Sequence, residues 1–258
     1  MTNKTFGFIG GGRVVRILLK AMSNKDMMPG TVIVSDTNDE VLNKLKNEFP
    51  GIRITKNNAE PAKCEYVFLS LHPPVIAQML EEIKSHINPD AILISLAPKF
   101  TMEKISAVLN GFDRIARMIP NAPTYINKGY NPVAYSNGIT VNEKNELNRL
   151  FDLWGGHPEV DEYDLEAYAI ITAMGPTYLW FQIHRLHNLG LSFGLQEEEL
   201  RKGIPAMVKG AIDTMYSSGL CCDDVIDLVP VKPMAVFEKT ISDNYDETLT
   251  ALFNKLKN

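Results

Sequence analysis

Residues 6–15 read FGFIGGGRVV, and this stretch decides the fold. Residues 5–9 are an apolar run of the kind that forms a buried β-strand, and a helical pattern begins at Val14. Between them, Gly10 and Gly12 allow a tight turn and a close approach of the backbone to a pyrophosphate, whose charge the helix N-terminus favours. Val15 replaces the third glycine of this fingerprint, so the match is partial. The stretch predicts the first β–α turn of a dinucleotide-binding domain.

A second apolar run, residues 31–35, leads into Asp36. In dinucleotide-binding folds an acidic residue near this place binds the ribose of the adenosine. Asp36 disfavours a cofactor that carries a 2′-phosphate. The guanidinium of Arg13 favours the pyrophosphate or a 2′-phosphate, unless Arg13 is simply a solvated residue at the start of a helix. We therefore expect NAD or NADP as the cofactor, with a slight preference for NADH.

Composition narrows the class of protein. The chain has 258 residues, 45% of them hydrophobic, which is enough for one large domain or two moderate ones. The net charge of −5 is scattered along the chain, which argues against nucleic acid or an anionic membrane as the main partner. The three cysteines lack the spacing of metal ligands with the five histidines, so we expect reduced thiols and no metal site. Without a membrane span or a signal peptide pattern, we expect a cytoplasmic protein that acts on a small molecule.

Apolar runs alternate with helical patterns through the first 158 residues. This alternation predicts a parallel sheet with helices on both faces and a ligand crevice at the carboxyl ends of the strands. The predicted strands are residues 5–9, 31–35, 66–71, 91–96, 115–119 and 131–136. The predicted helices, besides the one that follows Gly12, are residues 39–49, 74–86, 101–109 and 143–153.

The pattern changes at residues 155–161, where glycine, histidine and proline interrupt it. Long helical patterns follow over residues 164–191, 196–217 and 234–256, with little strand signal. We therefore predict a Rossmann-like NAD(P)-binding domain of the α/β class over residues 1–158. An all-α domain for substrate binding and dimerisation is predicted over residues 159–258.

The helical pattern of residues 164–191 is apolar on nearly all sides, with Tyr168, Met174, Trp180, Phe181 and Leu186 distributed around it. Such a helix must be buried on most sides, and the predicted all-α domain has too few other elements to cover it completely. We expect a second copy of the chain to cover it, in a homodimer or a higher homo-oligomer. The alternative is that one layer of local helices is sufficient.

Four segments resemble the pyrroline-5-carboxylate reductase family in their order and spacing. They are the glycines at 10–12, FLSLHP at residues 68–73, RIARMIPNAP at residues 114–123, and MGPTY at residues 174–178 before a long helix. The resemblance covers almost the whole chain, and the third segment is its most specific part. It implies an N-terminal dinucleotide domain, a helical domain that interlocks with a partner's, and reduction of a cyclic imine to proline by NAD(P)H.

The resemblance also implies a set of cofactor-binding residues. The family usually has asparagine at the position of Arg13 and lysine at the position of His72. His72 is equally compatible with a functional role and with being a simple histidine at the end of a strand. Asn57 matches an asparagine near the adenosine, Ala97 follows the next strand, and Asn121 falls beside the nicotinamide. The full set is Gly10, Gly11, Gly12, Arg13, Val14, Asp36, Asn57, Ser70, Leu71, His72, Pro73, Ala97 and Asn121.

The implied substrate site departs most from the family's pattern. The family's G-S-G-P-A-Y is AMGPTY at residues 173–178, and an acidic residue of the following helix is His184 here. The family's loop S-P-G-G-T-T holds the substrate carboxylate with its backbone amides, whereas this chain has PVKPMA at residues 230–235. Because proline has no N–H, this loop cannot form the same nest of amides. Lys232 is then the candidate carboxylate-binding group, unless it is a solvated loop residue.

The candidate catalytic residues are Asn121 from the first domain and Thr177, Tyr178, His184 and Lys232 from the helical domain of the same chain or of its partner. Tyr178 or His184 is a candidate proton donor. The alternative for Tyr178 is an aromatic residue of the core, and the alternative for His184 is a residue of the dimer interface. Three functions remain open. They are NAD(P)H-dependent reduction of a cyclic imine acid, oxidoreduction of another imino or keto acid, and non-catalytic nucleotide binding.

Overall fold

The computed structural model describes residues 4–257, apart from the side chain of Pro74. Contacts divide this part of the chain into two compact units. The first runs to Met174 and includes the last described residues from Leu252, and the second comprises Gly175–Ala251. This division lies later than the expected one at residue 158. Leu165 and Ala169 join a buried cluster with Ile119, so the segment before Met174 packs on the first unit.

In the described chain, the first unit contains a seven-stranded sheet in the order β3-β2-β1-β4-β5-β6-β8. Neighbouring strands are parallel except β6 and β8. The order reverses between β1 and β4, the kind of switch point at which open α/β sheets bind ligands. The elements are β1 (Thr5–Ile9), α1 (Arg13–Ser23), β2 (Thr31–Ser35), α2 (Asp39–Glu48), β3 (Arg53–Thr55), β4 (Tyr66–Leu69), α3 (Pro73–Ile83), β5 (Ile92–Ser95), α4 (Met102–Val108), β6 (Ile115–Met118), β7 (Gly129–Tyr130), β8 (Val133–Tyr135), α5 (Val141–Phe151) and β9 (Gly155–Gly156).

Helices pack on both faces of this sheet. On one face, α1, α2 and α5 cover Phe6, Phe8 and Phe68, and the rings of Phe8 and Phe68 stack with 4.5 Å between their centroids. On the other face, α3 and α4 cover Val67 and Leu69. Successive strand residues point to opposite faces, so a strand buried on both faces is apolar throughout. This is why the sequence shows these strands as continuous apolar runs, and the predicted Rossmann-like fold is confirmed.

The helical region begins with α6 (Leu165–Tyr168) and a π-helical turn (Ala169–Ala173), which belong to the first unit. It continues with α7 (Gly175–Ser192), α8 (Glu197–Ser217), α9 (Cys222–Asp227) and α10 (Ala235–Lys257). The single helix predicted over residues 164–191 is therefore interrupted. Pro176 has no N–H to donate to the carbonyl of Thr172, and the backbone leaves the regular α-helical pattern just before it.

The apolar side chains of α7 are not covered by the local helices. Trp180 is 52% exposed and Phe181 67% exposed. α8 packs against α7 at Gly190, where a side chain would collide with Leu200, but this contact leaves most of α7 open. Within residues 4–257, the local helices therefore leave these side chains exposed. Among the described helices, none has the length and apolar character that crossing a bilayer requires.

Candidate cofactor and active site

Five of the predicted cofactor-binding residues follow the ends of parallel strands. Gly10 follows β1, Asp36 follows β2, Ser70 follows β4, Ala97 comes after β5, and Asn121 comes after β6. Because parallel strands end at the same edge of a sheet, these residues lie along one edge, which includes the switch point between β1 and β4. The first unit thus brings together residues that are far apart in the sequence.

The glycine turn between β1 and α1 is closed on the sheet side and open in front of the helix. Gly10 has a φ of +93°, and a Cβ there would lie 2.5 Å from the carbonyl oxygen of Ser70. Its N–H donates to the carbonyl of Ser35 at 2.8 Å. A Cβ on Gly12, in contrast, would meet no heavy atom within 4 Å. The space beside the N-terminus of α1 is therefore free for a ligand.

Two features of this turn fit a dinucleotide. Gly12 is the N-cap of α1 and has no side chain to accept from the first N–H groups of the helix, and such N–H groups bind phosphate. The buried hydroxyl of Ser70 has no hydrogen-bond partner within residues 4–257. A buried hydroxyl without a partner is costly, and the oxygens of a bound nucleotide are suitable partners. The residues present at the switch point therefore fit the predicted cofactor.

The other predicted cofactor residues lie near this edge in different environments. Arg13 is the exposed first residue of α1, and His72 is the exposed N-cap of α3. Asn57 forms a turn of its own, because its Oδ1 accepts from the N–H of Ala59 at 3.0 Å. Of the remaining members, Gly11 is buried, and Val14, Leu71 and Pro73 are partly buried.

Asp36 connects the glycine turn to the segment that follows β2. Its Oδ2 accepts from the N–H of Gly11 at 2.8 Å, and its Oδ1 accepts from the N–H of Asn38 at 2.9 Å. Asn58 supports the same end of β2, since its Oδ1 accepts from the hydroxyl of Ser35 at 2.7 Å. Sequence reasoning missed Asn58, because nothing in the local pattern distinguishes it from Asn57.

Asn121 is buried, and its side chain is already engaged. Its Oδ1 accepts from the N–H of Tyr130 at 3.1 Å, and its Nδ2 lies 3.4 Å from the carbonyl oxygen of Thr172. That carbonyl lies in the π-helical turn, where Pro176 leaves it without its usual helical donor. Asn121 thus fixes the loop after β6 to the start of the helical region. Its place beside the nicotinamide stays a prediction.

Sequence reasoning missed a buried charged cluster beside Ala97. Arg117 on β6 is fully buried and donates to Oε1 of Glu162 and to Oε1 of Glu166, both at 2.8 Å. Its guanidinium also reaches the carbonyl of Ala97 at 3.3 Å, and the N–H of Lys99 donates to Glu166 at 3.1 Å. The cluster fixes the loop after β5. A charged residue inside the apolar run 115–119 was the signal that could have indicated it.

The predicted catalytic residues of the second unit line different clefts. Tyr178 lines one of about 480 Å³ and Lys232 one of about 410 Å³; Met234 and Ile241 line both, so these clefts adjoin. His184 lines another cleft, of about 630 Å³, between α7 and α8. The structure therefore places Tyr178 and Lys232 on adjoining clefts and His184 on a different one. Thr177 is exposed in the first turn of α7.

The environments of these side chains differ in charge. Burial, and next the neighbouring Tyr245, raises the pKa of Tyr178 above its ordinary value, so its hydroxyl is protonated at neutral pH. The Nζ of Lys232 lies 3.8 Å from Oδ1 of Asp227, whose side chain is 88% exposed. Such a long, solvated ion pair is weak. Nε2 of His184 lies 3.2 Å from Nδ2 of Asn188.

Comparison with known proteins shows which sequences and folds this chain resembles. The sequence pattern of a family described as NADP oxidoreductase, coenzyme F420-dependent, matches residues 5–99. A pyrroline-5-carboxylate reductase of Corynebacterium melassecola is 23% identical over 218 residues, which are 83% of this chain and 81% of that protein. One of Staphylococcus aureus is 24% identical over 215 residues, 83% of this chain and 79% of the relative. The chain is thus similar to pyrroline-5-carboxylate reductases over most of its length, at low identity.

A solved structure extends the likeness to the whole fold. The pyrroline carboxylate reductase of Plasmodium falciparum, crystallised with NADP bound, superposes with a TM-score of 0.83 at 20% identity and covers 100% of this chain and 98% of its own. The shared fold includes both the Rossmann-like domain and the helical region. These relationships support an NAD(P)-dependent oxidoreductase.

Proposed function

We propose that this chain reduces a cyclic imino acid with NAD(P)H, and that the main reaction converts pyrroline-5-carboxylate to proline. The observation that carries the proposal is the open space at Gly12, at the switch point of the sheet. It belongs to a chain that aligns with reductases of that name over 83% of its length. A turn that only completed a β–α connection would give no reason for the buried hydroxyl of Ser70, which has no hydrogen-bond partner among residues 4–257.

In this proposal, a bound NAD(P)H supplies hydride to the carbon of the C=N bond. The chain has three tasks: to bind the cofactor, to hold the substrate in a fixed orientation, and to provide the proton that the ring nitrogen receives. The N–H groups at the start of α1 bind the pyrophosphate. Asn121 is a positioning residue, since its side chain fixes the loop that follows β6.

For the substrate, we assign Lys232 to the carboxylate and Tyr178 to the proton. Residues 230–235 include two prolines, so the loop has too few N–H groups for an amide nest. Lys232 is paired only weakly with Asp227 at 3.8 Å, and its ammonium is available for a carboxylate. Tyr178 retains its proton at neutral pH and lines the cleft that adjoins that of Lys232. Thr177 and His184 stay candidates for substrate contacts.

We also propose that the chain works as a homodimer or a higher homo-oligomer in the cytoplasm. Exposed aromatic residues on the helical unit, among them Trp180, Phe181 and Phe193, support a partner surface. A second copy of the same chain is the partner that the family resemblance implies.

A second candidate function is the reduction of another imino or keto acid on the same scaffold. The observation that favours it is the sequence PVKPMA at residues 230–235, where the related family has a glycine-containing loop. Lys232 supplies a charge in place of directed N–H groups, and a charge on a flexible stem is less selective for the shape of a ligand. The third possibility is nucleotide binding without catalysis.

A substrate panel distinguishes these functions. The purified chain is assayed with NADH and with NADPH against pyrroline-5-carboxylate, six-membered cyclic imino acids and 2-keto acids, with products identified by mass spectrometry. The proposal expects the highest kcat/KM for pyrroline-5-carboxylate, with proline as the product. A higher value for another acid supports the second candidate. Nucleotide binding without turnover of any compound supports the third.

A further inference from the structure

The carboxylate of Asp36 has a fixed position at the end of β2. Both of its oxygens accept backbone N–H groups, Oδ2 from Gly11 and Oδ1 from Asn38. The N–H of Asp36 itself donates to the carbonyl of Thr55 at 3.3 Å. Backbone donors on both sides leave the side chain little freedom to turn away from a ligand. A negative charge is thus fixed next to the glycine turn.

The same carboxylate retains room for a ligand. A carboxylate has about four acceptor positions, and the two backbone N–H groups use one on each oxygen. Asp36 is only partly buried. It can therefore accept further hydrogen bonds from the two hydroxyls of a ribose. A 2′-phosphate brings negative charge and offers no such donor. Like charges that are brought together without a counter-ion cost several kcal/mol, which lowers the affinity for NADPH at least about 100-fold.

The cations on this side of the sheet are engaged elsewhere. Lys56 follows β3, the strand beside β2, and its Nζ lies 2.7 Å from Oδ2 of Asp39. Arg53 on β3 pairs with Glu60. Each thus lies beside a carboxylate of its own. Within residues 4–257, Arg13 forms no ion pair with an acidic side chain; it is the first residue of α1, beside Gly12, where the pyrophosphate is expected.

We propose that Asp36 makes this chain selective for NADH over NADPH. The inference rests on the proposed function only for the statement that a nicotinamide dinucleotide binds at the glycine turn. A preference for NADH would distinguish the chain from the Plasmodium falciparum relative, whose structure contains NADP. Arg13 contacts the pyrophosphate that both cofactors share and so contributes nothing to the selection.

The test is a direct binding titration of the full chain with NADH and with NADPH, followed by nucleotide fluorescence in the absence of substrate. The wild-type chain is expected to bind NADH at least about 100-fold more tightly. Asp36→Asn removes the charge and keeps an acceptor oxygen for the N–H of Gly11, and it is expected to reduce the preference at least tenfold, mainly by tighter binding of NADPH. Glu40→Gln is the matched control, because Glu40 is an exposed carboxylate on the same side of the sheet.

Glu40→Gln is expected to change the preference less than about threefold, since solvent and salt screen an exposed charge. Arg13→Ala is expected to weaken both nucleotides by the same factor. Equal or tighter binding of NADPH by the wild-type chain overturns the inference, whether or not Asp36→Asn folds. Binding of neither nucleotide contradicts the proposed function as well. Tight, selective NADH binding without turnover of any imino acid supports the inference and contradicts only the proposed reaction.

Discussion

At the scale of single residues, Gly12 separates binding from folding more cleanly than any other glycine of the turn. A side chain on Gly10 would be strained at a φ of +93° and would collide with Ser70, whereas one on Gly12 meets no protein atom within 4 Å. We therefore expect Gly12→Val to fold normally and to lose nucleotide binding, because the valine occupies the space of the pyrophosphate. Fluorescence titration measures the binding, and circular dichroism measures the fold.

Gly51→Val is the matched control for this prediction. Gly51 is exposed, and a Cβ there also meets no heavy atom within 4 Å, but it lies in the turn before β3, away from the carboxyl edge of the sheet. This variant is expected to bind nucleotide like the wild type. A folded Gly12→Val chain with unchanged affinity would mean that the pyrophosphate does not lie at this turn.

Lys232 permits a test of substrate binding. One charge-assisted hydrogen bond to a carboxylate contributes roughly 1.5–3 kcal/mol, so Lys232→Met is expected to raise KM for the imino acid about 10- to 100-fold. Nucleotide affinity should not change, and kcat should change little if the contact is equally strong in the ground and transition states. Lys239→Met is the control, since Lys239 is an exposed residue of α10 paired with Asp243. An unchanged KM assigns the carboxylate to another group.

The residue scale also indicates which site residues a sequence can reveal. The tight turn at Gly10 and the place of Asp36 directly after β2 were predictable, because glycine pairs and apolar runs are visible in the local sequence. The buried pairing of Arg117 with Glu162 and Glu166 was not, because its partners come from a distant segment. Nor does the sequence show that the side chain of Asn121 is engaged by Tyr130 and Thr172. Contacts between distant segments depend on the fold itself.

At the scale of elements, α5 begins with a capping box whose strength depends on pH. The N–H and the hydroxyl of Thr140 both donate to Glu143, and the N–H of Glu143 donates back to Thr140. Burial alone would raise the pKa of Glu143, but these hydrogen bonds and the neighbouring Arg114 outweigh it and hold the pKa below its usual value. The carboxylate therefore stabilises the folded state above the unfolded pKa of about 4.3.

We expect Glu143→Gln to lower the free energy of unfolding by about 0.5–2 kcal/mol at pH 7. The difference from the wild type should shrink as the pH falls through the folded pKa of Glu143, because the wild-type carboxylate is then protonated as well. Urea titrations at several pH values between neutrality and pH 3 measure it. A difference that is the same at every pH would contradict a charge-dependent role.

Elements of regular structure were predictable to different degrees. β1 and β2 have the predicted bounds, since strands buried on both faces are continuous apolar runs. β3 was missed, because it has three residues and only Ile54 among them is apolar. The strand predicted at 131–136 is the shorter β8, which runs antiparallel to β6. The sequence of a short apolar run does not indicate the direction of the strand relative to its neighbour. The π-helical turn was missed because hydrophobic periodicity does not distinguish it from an α-helix.

At the scale of the whole molecule, the exposed apolar side chains of the helical unit predict self-association. Phe181 is 67% exposed on α7, and burying such aromatic residues against a partner is favourable. We expect a dimer or a multiple of it at micromolar concentration, measured by light scattering, and a shift toward monomer in Phe181→Glu. Val141→Glu is the control, since Val141 is 75% exposed on α5 of the other unit. A stable wild-type monomer would contradict the prediction.

The proposed reaction transfers hydride from a bound nicotinamide to the carbon of a cyclic imine. The most direct measurement follows the hydrogen itself, with NADH carrying deuterium at nicotinamide C4, on each face in turn, and pyrroline-5-carboxylate as the substrate. We expect one of the two labelled cofactors to give proline with one deuterium on the ring carbon that belonged to the C=N bond. Proline without deuterium from both labelled cofactors, or no proline from a chain that binds NADH, would contradict it.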